Sequence, residues 1–254
     1  CLKKEGIYIY MDMLTYRKFK KGDGVEAASE LGDAARPYCI FNRKLIELQK
    51  KFNYDLWTHI NPYTGLAYKD EPAIVLTEII NEGDMFSRPT TILYYKNELD
   101  VMFDKWLKNK NLKKPEGDIV YPSDDPIVID FLIEVQENYY KEMISHLRDI
   151  GVKIPITGTN WAKNAANRKT QLVTDFDDGH TYWYGWKWQE KVKEFHNNPM
   201  VEAVDTMLPA LTFSRHVARP YFISEWDEPW PNEWRAESPI YMAAIGHSSE
   251  TLTE

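Results

Sequence analysis

Five short apolar runs, separated by long segments instead of tight turns, constrain the fold more than any other feature of this sequence. They are GIYIYMDM (6–13), AIVLTEII (73–80), KIPITGT (153–159), QLVTDF (171–176) and PYFISEW (220–226). Each run is bounded by turn residues, as buried strands are. No run is joined to the next by the short loop of a β-hairpin. The spacing therefore predicts that consecutive strands are not paired as β-hairpins.

Several of the intervening segments have helical periodicity. In the clearest, 126–150, one apolar stripe repeats every four residues and comprises Ile127, Phe131, Val135, Tyr139, Met143 and Leu147. Asp124 or Asp125 can cap this helix, and Pro126 suits its first turn. Segments 42–53 and 90–111 are predicted to hold two more helices. Alternating strands and helices predict parallel pairing through right-handed crossovers, which is an α/β fold.

Two parallel architectures fit this pattern, an open doubly wound sheet and a closed (β/α)8 barrel. The sequence lacks the Gly-rich first turn of a nucleotide-binding sheet. Polar and acidic residues instead follow nearly every predicted strand, where barrel enzymes place their chemistry. We therefore expect a TIM (β/α)8-barrel type of fold. Because no Pro/Ser-rich linker divides the chain, residues 1–254 are interpreted as one domain, with 83–125 as a loop and helical excursion.

Composition excludes several classes of function. The formal net charge of -8 argues against nucleic acid or an anionic membrane as the partner. No window reaches the roughly 18 apolar residues of a membrane-spanning helix. The two cysteines and six histidines lack the spacing of a disulfide framework or of a metal site such as H-E-x-x-H. This spacing therefore predicts no metal site.

Carboxylates end two of the predicted strands. The run IVLTEIINEG closes on Asn81 and Glu82, and PYFISEW contains Glu225 at its end. Glu228 and Glu233 are competitors on the Pro-rich loop that follows. Two glutamates at the ends of two parallel strands can face each other across a barrel mouth. Retaining glycoside hydrolysis requires such a pair about 5–5.5 Å apart, although either carboxylate alone could be structural or solvated.

The segment TDFDDGHTYWYGWKW supplies further candidates. A Ca²⁺-binding loop starting at Asp175 is rejected, because Trp186 stands where a bidentate Glu is required. His180 and Tyr182 alternate along a strand end, so both can point into a pocket, and a Tyr hydroxyl could hold a nucleophilic carboxylate. The alternative is a His and a Tyr hydrogen-bonded for structure only.

Seven of the nine tryptophans follow strand ends, where indole faces can stack on sugar rings. These are Trp161, Trp183, Trp186, Trp188, Trp226, Trp230 and Trp234. Trp183 and Trp226 are the candidates for substrate binding, although some of the seven are expected only to pack loops together.

The motifs EIINE, GTNW, DGHTYW and FISEWDEPWPN, in that order, resemble those of the clan A glycoside hydrolases, on the cellulase- and mannanase-like side. The resemblance covers nearly the whole chain. It implies a barrel with the acid/base, Glu82, on strand four and the nucleophile, Glu225, on strand seven. No metal or cofactor takes part in that mechanism.

The resemblance also implies roles for residues around the two glutamates. Asn81 would hydrogen-bond the sugar 2-hydroxyl, and His180 and Tyr182 would line the cleavage subsite, with Tyr182 touching Glu225. Asp12 and Asn160, which end strands three and five, would contact substrate.

The departure from the family pattern concerns the number of strands. If the first run is strand three and the last is strand seven, strands one, two and eight have no counterpart in this chain. An incomplete barrel would have two open edges, which invite pairing with another chain or aggregation. The resemblance thus implies a truncated piece of a glycosidase, or a protein whose gap a partner fills.

The expected function is retaining β-glycoside hydrolysis of a polysaccharide or oligosaccharide by double displacement. The alternative is a catalytically inactive carbohydrate-binding remnant, and a metal-dependent hydrolase is a weaker rival. Carbohydrate is the expected partner, and secretion suits an enzyme acting on polysaccharides.

Overall fold

The computed structural model describes residues 2–32, 35–183, 197–203 and 207–250, which contain five strands and six α-helices. The strands are β1 (Ile9–Leu14), β2 (Ile74–Ile80), β3 (Ile156–Thr157), β4 (Asp177–Tyr182) and β5 (Tyr221–Asp227). The helices are α1 (Arg43–Thr58), α2 (Leu93–Lys110), α3 (Pro126–Asp149), α4 (Ala165–Gln171), α5 (Leu208–Ser214) and α6 (Glu237–Glu250). The predicted α/β class and the three predicted helices are therefore present.

All pairings between these strands are parallel, and they form two sheets. One sheet has the order β1-β2-β3, and the other pairs β4 with β5. Within the part of the chain that the structure describes, neither sheet closes on itself into a barrel. Five parallel strands are consistent with part of a barrel, as expected.

The chain divides into two compact units, Cys1–Phe176 and Asp177–Glu254. The first contains β1 to β3 with α1 to α4, and the second contains β4, β5, α5 and α6. The interpretation of 1–254 as one domain stays a prediction. Segment 83–125 carries α2 between its loops.

The fourth predicted strand, 171–176, is wrong. Gln171 is the last residue of α4, whose N-cap Asn164 accepts a hydrogen bond from the Asn167 amide at 2.8 Å. Leu172 is 53% exposed, and the strand begins only at Asp177. A short apolar run cannot be distinguished from a helix end by periodicity. The third predicted strand, 153–159, is longer than the observed strand, since β3 comprises only Ile156 and Thr157.

Helix α3 packs one face into the apolar core of the first unit. Asp125, not Asp124, caps it, because Asp125 Oδ1 accepts hydrogen bonds from the amides of Ile127 at 2.8 Å and Val128 at 3.3 Å. The predicted stripe packs into the apolar core of this unit, with Ile127 partly buried and Phe131, Val135, Tyr139, Met143 and Leu147 buried. Burying one face of an amphipathic helix is what stabilises it in a protein.

The described part of the second unit has an apolar cluster of its own. Met200, Met207, Leu211 and Met242 are buried in it, with Trp183, Ile223, Trp226 and Tyr241 packed against them. None of the helices in the described ranges is both long enough and apolar enough to cross a membrane.

Candidate active site

Glu82 lies in a turn just beyond β2. The strand ends at Ile80, and Glu82 has a φ of 46°, in the left-handed region. For a residue with a side chain this conformation costs about 1–3 kcal/mol and persists only where surrounding contacts enforce it. The turn, and not the alternation of side chains along β2, therefore sets the direction of the Glu82 side chain.

Two hydrogen bonds from the turn to the segment after β3 help to enforce this conformation. The Glu82 amide donates to Asn160 Oδ1 at 2.9 Å, and the Gly83 amide donates to Thr159 Oγ1 at 3.3 Å. A Cβ at Gly83 would lie 2.2 Å from Ile80 Cδ1, so any other residue there would force the buried Ile80 side chain to shift. The turn is thus tied to the end of the neighbouring strand.

Asn160 also connects the polar side chains below the turn. Its Nδ2 donates to Glu78 Oε2 at 2.9 Å and to Asn81 Oδ1 at 2.7 Å, and all three residues are buried. Asp12 on β1 is the register partner of Glu78 on β2. The first unit therefore brings together four of the candidate residues, Asp12, Asn81, Glu82 and Asn160, at the carboxyl ends of adjacent strands.

Arg36 is a neighbour of Glu82 that sequence reasoning missed. Its Nη1 donates to the carbonyl oxygens of Asn81 at 2.9 Å and Glu82 at 2.7 Å, and lies 3.9 Å from Glu82 Oε2. The Arg36 side chain is only 2% exposed. It lies outside any strand or helix and 46 residues before Glu82, so no periodicity indicates it.

A second cation acts on Glu82 from the loop after β3. Burial lowers the pKa of the Lys163 ammonium, while the Glu82 carboxylate opposes that shift. Lys163 Nζ lies 4.2 Å from the ring centre of Trp161, whose Nε1 donates to Ser87 Oγ at 3.1 Å. The lysine therefore covers part of this indole.

In the second unit, Glu225 of β5 is contacted from β4. His180 and Glu225 are register partners, so their side chains lie beside each other at the strand ends. The Tyr182 hydroxyl donates to Glu225 Oε2 at 2.5 Å, and His180 Nδ1 lies 3.5 Å from the same oxygen. The other ring nitrogen, Nε2, is 2.9 Å from Ser224 Oγ. The carboxylate of Glu225 is thus held in one orientation.

A β-bulge between Asp178 and His180 sets this geometry. The buried Asp178 carboxylate accepts hydrogen bonds from the amides of Gly179 at 2.7 Å and Ser224 at 3.0 Å, which ties the bulge to β5. A Cβ at Gly179 would lie 2.5 Å from the Tyr221 hydroxyl oxygen, so a larger residue in the bulge would force that side chain to shift. Bulges beside active sites commonly re-aim a side chain.

The two competing glutamates differ from Glu225 in their surroundings. Glu228 is 0% exposed, burial raises the pKa of its carboxyl group, and Ser238 Oγ donates to it at 3.4 Å. Glu233 contacts Asn197 through both its amide and its carboxylate. The Glu225 side chain is 38% exposed, so it can meet a substrate where Glu228 cannot.

The tryptophans of the second unit fall into two groups. Trp183 and Trp226 pack against the methionine-rich cluster, and Trp183 Nε1 donates to the carbonyl oxygen of Asn198 at 3.2 Å. Trp230 and Trp234 are 75% and 47% exposed. Trp186 and Trp188 lie outside the described residues. Trp183 and Trp226, the two candidates for substrate binding, therefore contribute to the core of the second unit.

The candidate residues form two sets, one in each unit. Glu82 belongs to the first with Asp12, Asn81 and Asn160, and Glu225 belongs to the second with the remaining candidates, His180, Tyr182, Trp183 and Trp226. The spacing of Glu82 and Glu225 that retaining hydrolysis requires stays a prediction.

Comparisons with known proteins find structural likeness only. No family model matches the chain, and no curated protein matches it. An endo-β-1,4-mannanase from Thermotoga petrophila is similar at 15% identity and a TM-score of 0.39, covering 71% of this chain and 35% of that one. The hyperthermostable endo-1,4-β-D-mannanase from Thermotoga petrophila RKU-1, with maltose and glycerol, is similar at 15% identity and a TM-score of 0.49. That match covers 91% of this chain and 58% of the mannanase chain.

This chain thus spans about a third of the length of the first of these proteins and somewhat over half of the length of the second. Likeness at this level does not identify an activity. The function is therefore inferred from the chain's own residues.

Proposed function

We propose that this chain carries the catalytic residues of a retaining β-glycoside hydrolase acting on a polysaccharide or oligosaccharide. The observation that carries the proposal is the hydrogen bond from Tyr182 to Glu225 at the end of a parallel strand, with His180 beside it. A partly exposed carboxylate held by a phenol suits a nucleophile, because its attacking oxygen is positioned before the substrate arrives.

The mechanism proceeds in two displacements. In the first, a Glu225 oxygen attacks the anomeric carbon while the glycosidic C–O bond breaks, and the leaving oxygen takes the proton of Glu82. In the second, the Glu82 carboxylate takes a proton from water, whose oxygen displaces Glu225 and releases the sugar. The anomeric configuration is retained because the carbon is inverted twice.

The surroundings of Glu82 support its role as acid/base. Its turn is held by hydrogen bonds with Asn160 and Arg36, which fix the direction in which its carboxyl group is presented. Asn81, adjacent in the chain, would bind the sugar 2-hydroxyl. The resemblance of the sequence motifs to cellulases and mannanases makes β-1,4-glucans and β-1,4-mannans the first substrates to test.

The test is covalent trapping of the glycosyl-enzyme with 2-deoxy-2-fluoro glycosyl fluorides of the gluco and manno series. We expect a mass increase of one sugar on the peptide containing Glu225, and none in Glu225→Gln. Glu233→Gln, a change in a neighbouring exposed carboxylate, should leave the labelling unchanged. A label on Glu233 or Glu228 would contradict the assignment of the nucleophile.

The acid/base assignment has its own test. Glu82→Ala should still release a good leaving group such as 2,4-dinitrophenol, but it should turn over slowly because water is no longer activated. Added azide should accelerate turnover and yield a β-glycosyl azide, since azide needs no base. In the separate variant Glu225→Ala, azide should replace the missing nucleophile and give the α-glycosyl azide. Failure of azide to affect Glu82→Ala would remove Glu82 from this role.

A carbohydrate-binding chain without turnover is the second candidate. The exposed indole of Trp230 favours it, because such a surface can stack on sugar without any catalytic pair. Binding of cello- or manno-oligosaccharides that is lost in Trp230→Ala, together with the absence of any covalent label, would select this alternative.

A further inference from the structure

We infer that Arg36 is a positioning residue for the proton donor Glu82, holding the turn in which its carboxyl group is presented. The inference rests on the proposed function, since it assigns a role within that reaction.

Arg36 contacts the Asn81-Glu82 turn at three points. One guanidinium nitrogen, Nη1, donates to both carbonyl oxygens of the turn, at 2.9 and 2.7 Å, and lies 3.9 Å from Glu82 Oε2. The guanidinium carbon lies 5.7 Å from the ring centre of Tyr16, so the cation also has an aromatic neighbour. A planar group with fixed donors can orient a peptide turn in a way that a flexible ammonium cannot.

The turn needs such a device because Glu82 is in the left-handed conformation. The amides of Glu82 and Gly83 are bonded from one side by Asn160 and Thr159, and the carbonyls of Asn81 and Glu82 are bonded by Arg36. Together these contacts fix both peptide groups that flank the Glu82 side chain. A strained residue over-determined by its neighbours is typical of a functional site.

Stability alone does not account for this arginine. Burying a guanidinium has a large desolvation cost unless its donors are satisfied and its charge is paired. The Arg36 side chain is 2% exposed, and its Nε is buried with no hydrogen-bond partner among the described residues. Arg36 donates its hydrogen bonds to the turn that carries Glu82. Loss of Arg36 should therefore act first on the position of the proposed proton donor.

The test compares two leaving groups in the 254-residue chain. An aryl glycoside that releases 2,4-dinitrophenol needs no proton in the bond-breaking step, whereas an unactivated oligosaccharide does. Arg36→Gln should lower kcat/KM for the oligosaccharide by about 100-fold, within the range that general acid catalysis contributes. The same variant should lower kcat/KM for release of 2,4-dinitrophenol by less than about threefold. A merely structural role would lower both values by the same factor.

Arg17→Gln is the matched control. Arg17 also donates to a backbone carbonyl, that of Leu48 at 3.0 Å, and also lies over aromatic rings, those of Phe19 and Phe52, but it is not bonded to the Asn81-Glu82 turn. Arg17→Gln should leave the ratio of kcat/KM for the oligosaccharide to kcat/KM for the 2,4-dinitrophenyl glycoside unchanged. Arg36→Lys keeps the charge and should restore part of the oligosaccharide rate, and it serves as the second variant if Arg36→Gln does not fold.

Amide hydrogen exchange tests the same inference without relying on activity. In Arg36→Gln the peptide containing residues 81–83 should exchange at least about tenfold faster than in the native chain, whereas Arg17→Gln should leave it unchanged. Unchanged exchange in Arg36→Gln, or equal losses for both leaving groups, would overturn the role of Arg36. If the native chain is inert towards every glycoside, the proposed function fails, while the exchange result still decides whether Arg36 holds the turn.

Discussion

Tyr182 makes the contact on which the proposed nucleophile depends. Tyr182→Phe removes the hydroxyl that donates to Glu225 but keeps the ring. A hydrogen bond to a charged group contributes about 1.5–3 kcal/mol, so we expect kcat for aryl glycosides to fall roughly 10- to 100-fold with little change in KM. Steady-state kinetics of the variant measure this change.

Tyr63→Phe serves as the control for that experiment, since Tyr63 is 95% exposed. Equal kinetics in Tyr182→Phe and the native chain would show that the hydrogen bond between Tyr182 and Glu225 has no part in catalysis.

Gly83 is the residue whose lack of a side chain allows the acid/base turn to close against Ile80. Gly83→Ala would bring a methyl group 2.2 Å from Ile80 Cδ1 and 2.5 Å from Cγ1, and Ile80 is fully buried. Overpacking of this kind costs about 1–3 kcal/mol in the free energy of unfolding. Urea denaturation measures it, with Gly22→Ala as the control because a Cβ there meets nothing within 4 Å. Equal stability of the two variants would contradict the packing argument.

At the scale of elements, the start of α3 depends on one carboxylate. Asp125→Ala removes the acceptor for the amides of Ile127 and Val128, and we expect the free energy of unfolding to fall by about 1 kcal/mol. Asp124→Ala, an exposed neighbour, should change it by less than about 0.5 kcal/mol. Urea denaturation of both variants distinguishes the two aspartates that the sequence left as alternatives.

An ion cluster joins α1 to α3. Arg43, which donates a hydrogen bond to Glu142, and Lys50 hold the pKa of the Glu142 carboxyl group below its ordinary value of 4.5. A lowered folded-state pKa stabilises the protein above the unfolded value, and this contribution disappears as the pH falls through the folded-state pKa. Because Arg43 is 56% exposed, we expect less than about 1 kcal/mol.

Glu142→Gln should therefore lower the free energy of unfolding at pH 7 and lower it less at pH 3. Glu137→Gln, which loses one exposed pair with Lys141 on the same helix, should cost less at pH 7. An equal loss for Glu142→Gln at both pH values would contradict the role of charge in this cluster.

At the scale of the whole molecule, the described parts of the two units differ in the size of their apolar clusters. The described residues of the first unit include 32 buried apolar residues in one cluster, and those of the second include four. Few buried apolar contacts permit easier local opening. We therefore expect amides of β4 and β5 to exchange with solvent faster than those of β1 and β2. Equal protection of both sheets in an exchange time course would contradict this expectation.

Much of this fold could be predicted from patterns local in the sequence. The four-residue stripe of α3 and the apolar runs of β1, β2 and β5 were found because burial of one face or of a whole strand leaves a periodic signal. The strand β4 was misplaced because its buried residues are polar. Asp177 and Asp178 are tolerated there because His216, Ser224 and neighbouring amides bond to their carboxylates. Such partners are not visible in the local pattern.

The candidate site divides in the same way. The sequence by itself determined which strand ends carry Glu82 and Glu225, whereas the contact of Tyr182 with Glu225 was implied only by the resemblance. Only the tertiary structure decided that Glu82 leaves the strand geometry and that Arg36 holds its turn. It also decided that Glu228 is buried and that Trp183 and Trp226 support a core. Periodicity records which positions are buried within one element, whereas a turn bonded across 46 residues depends on contacts between distant parts of the chain.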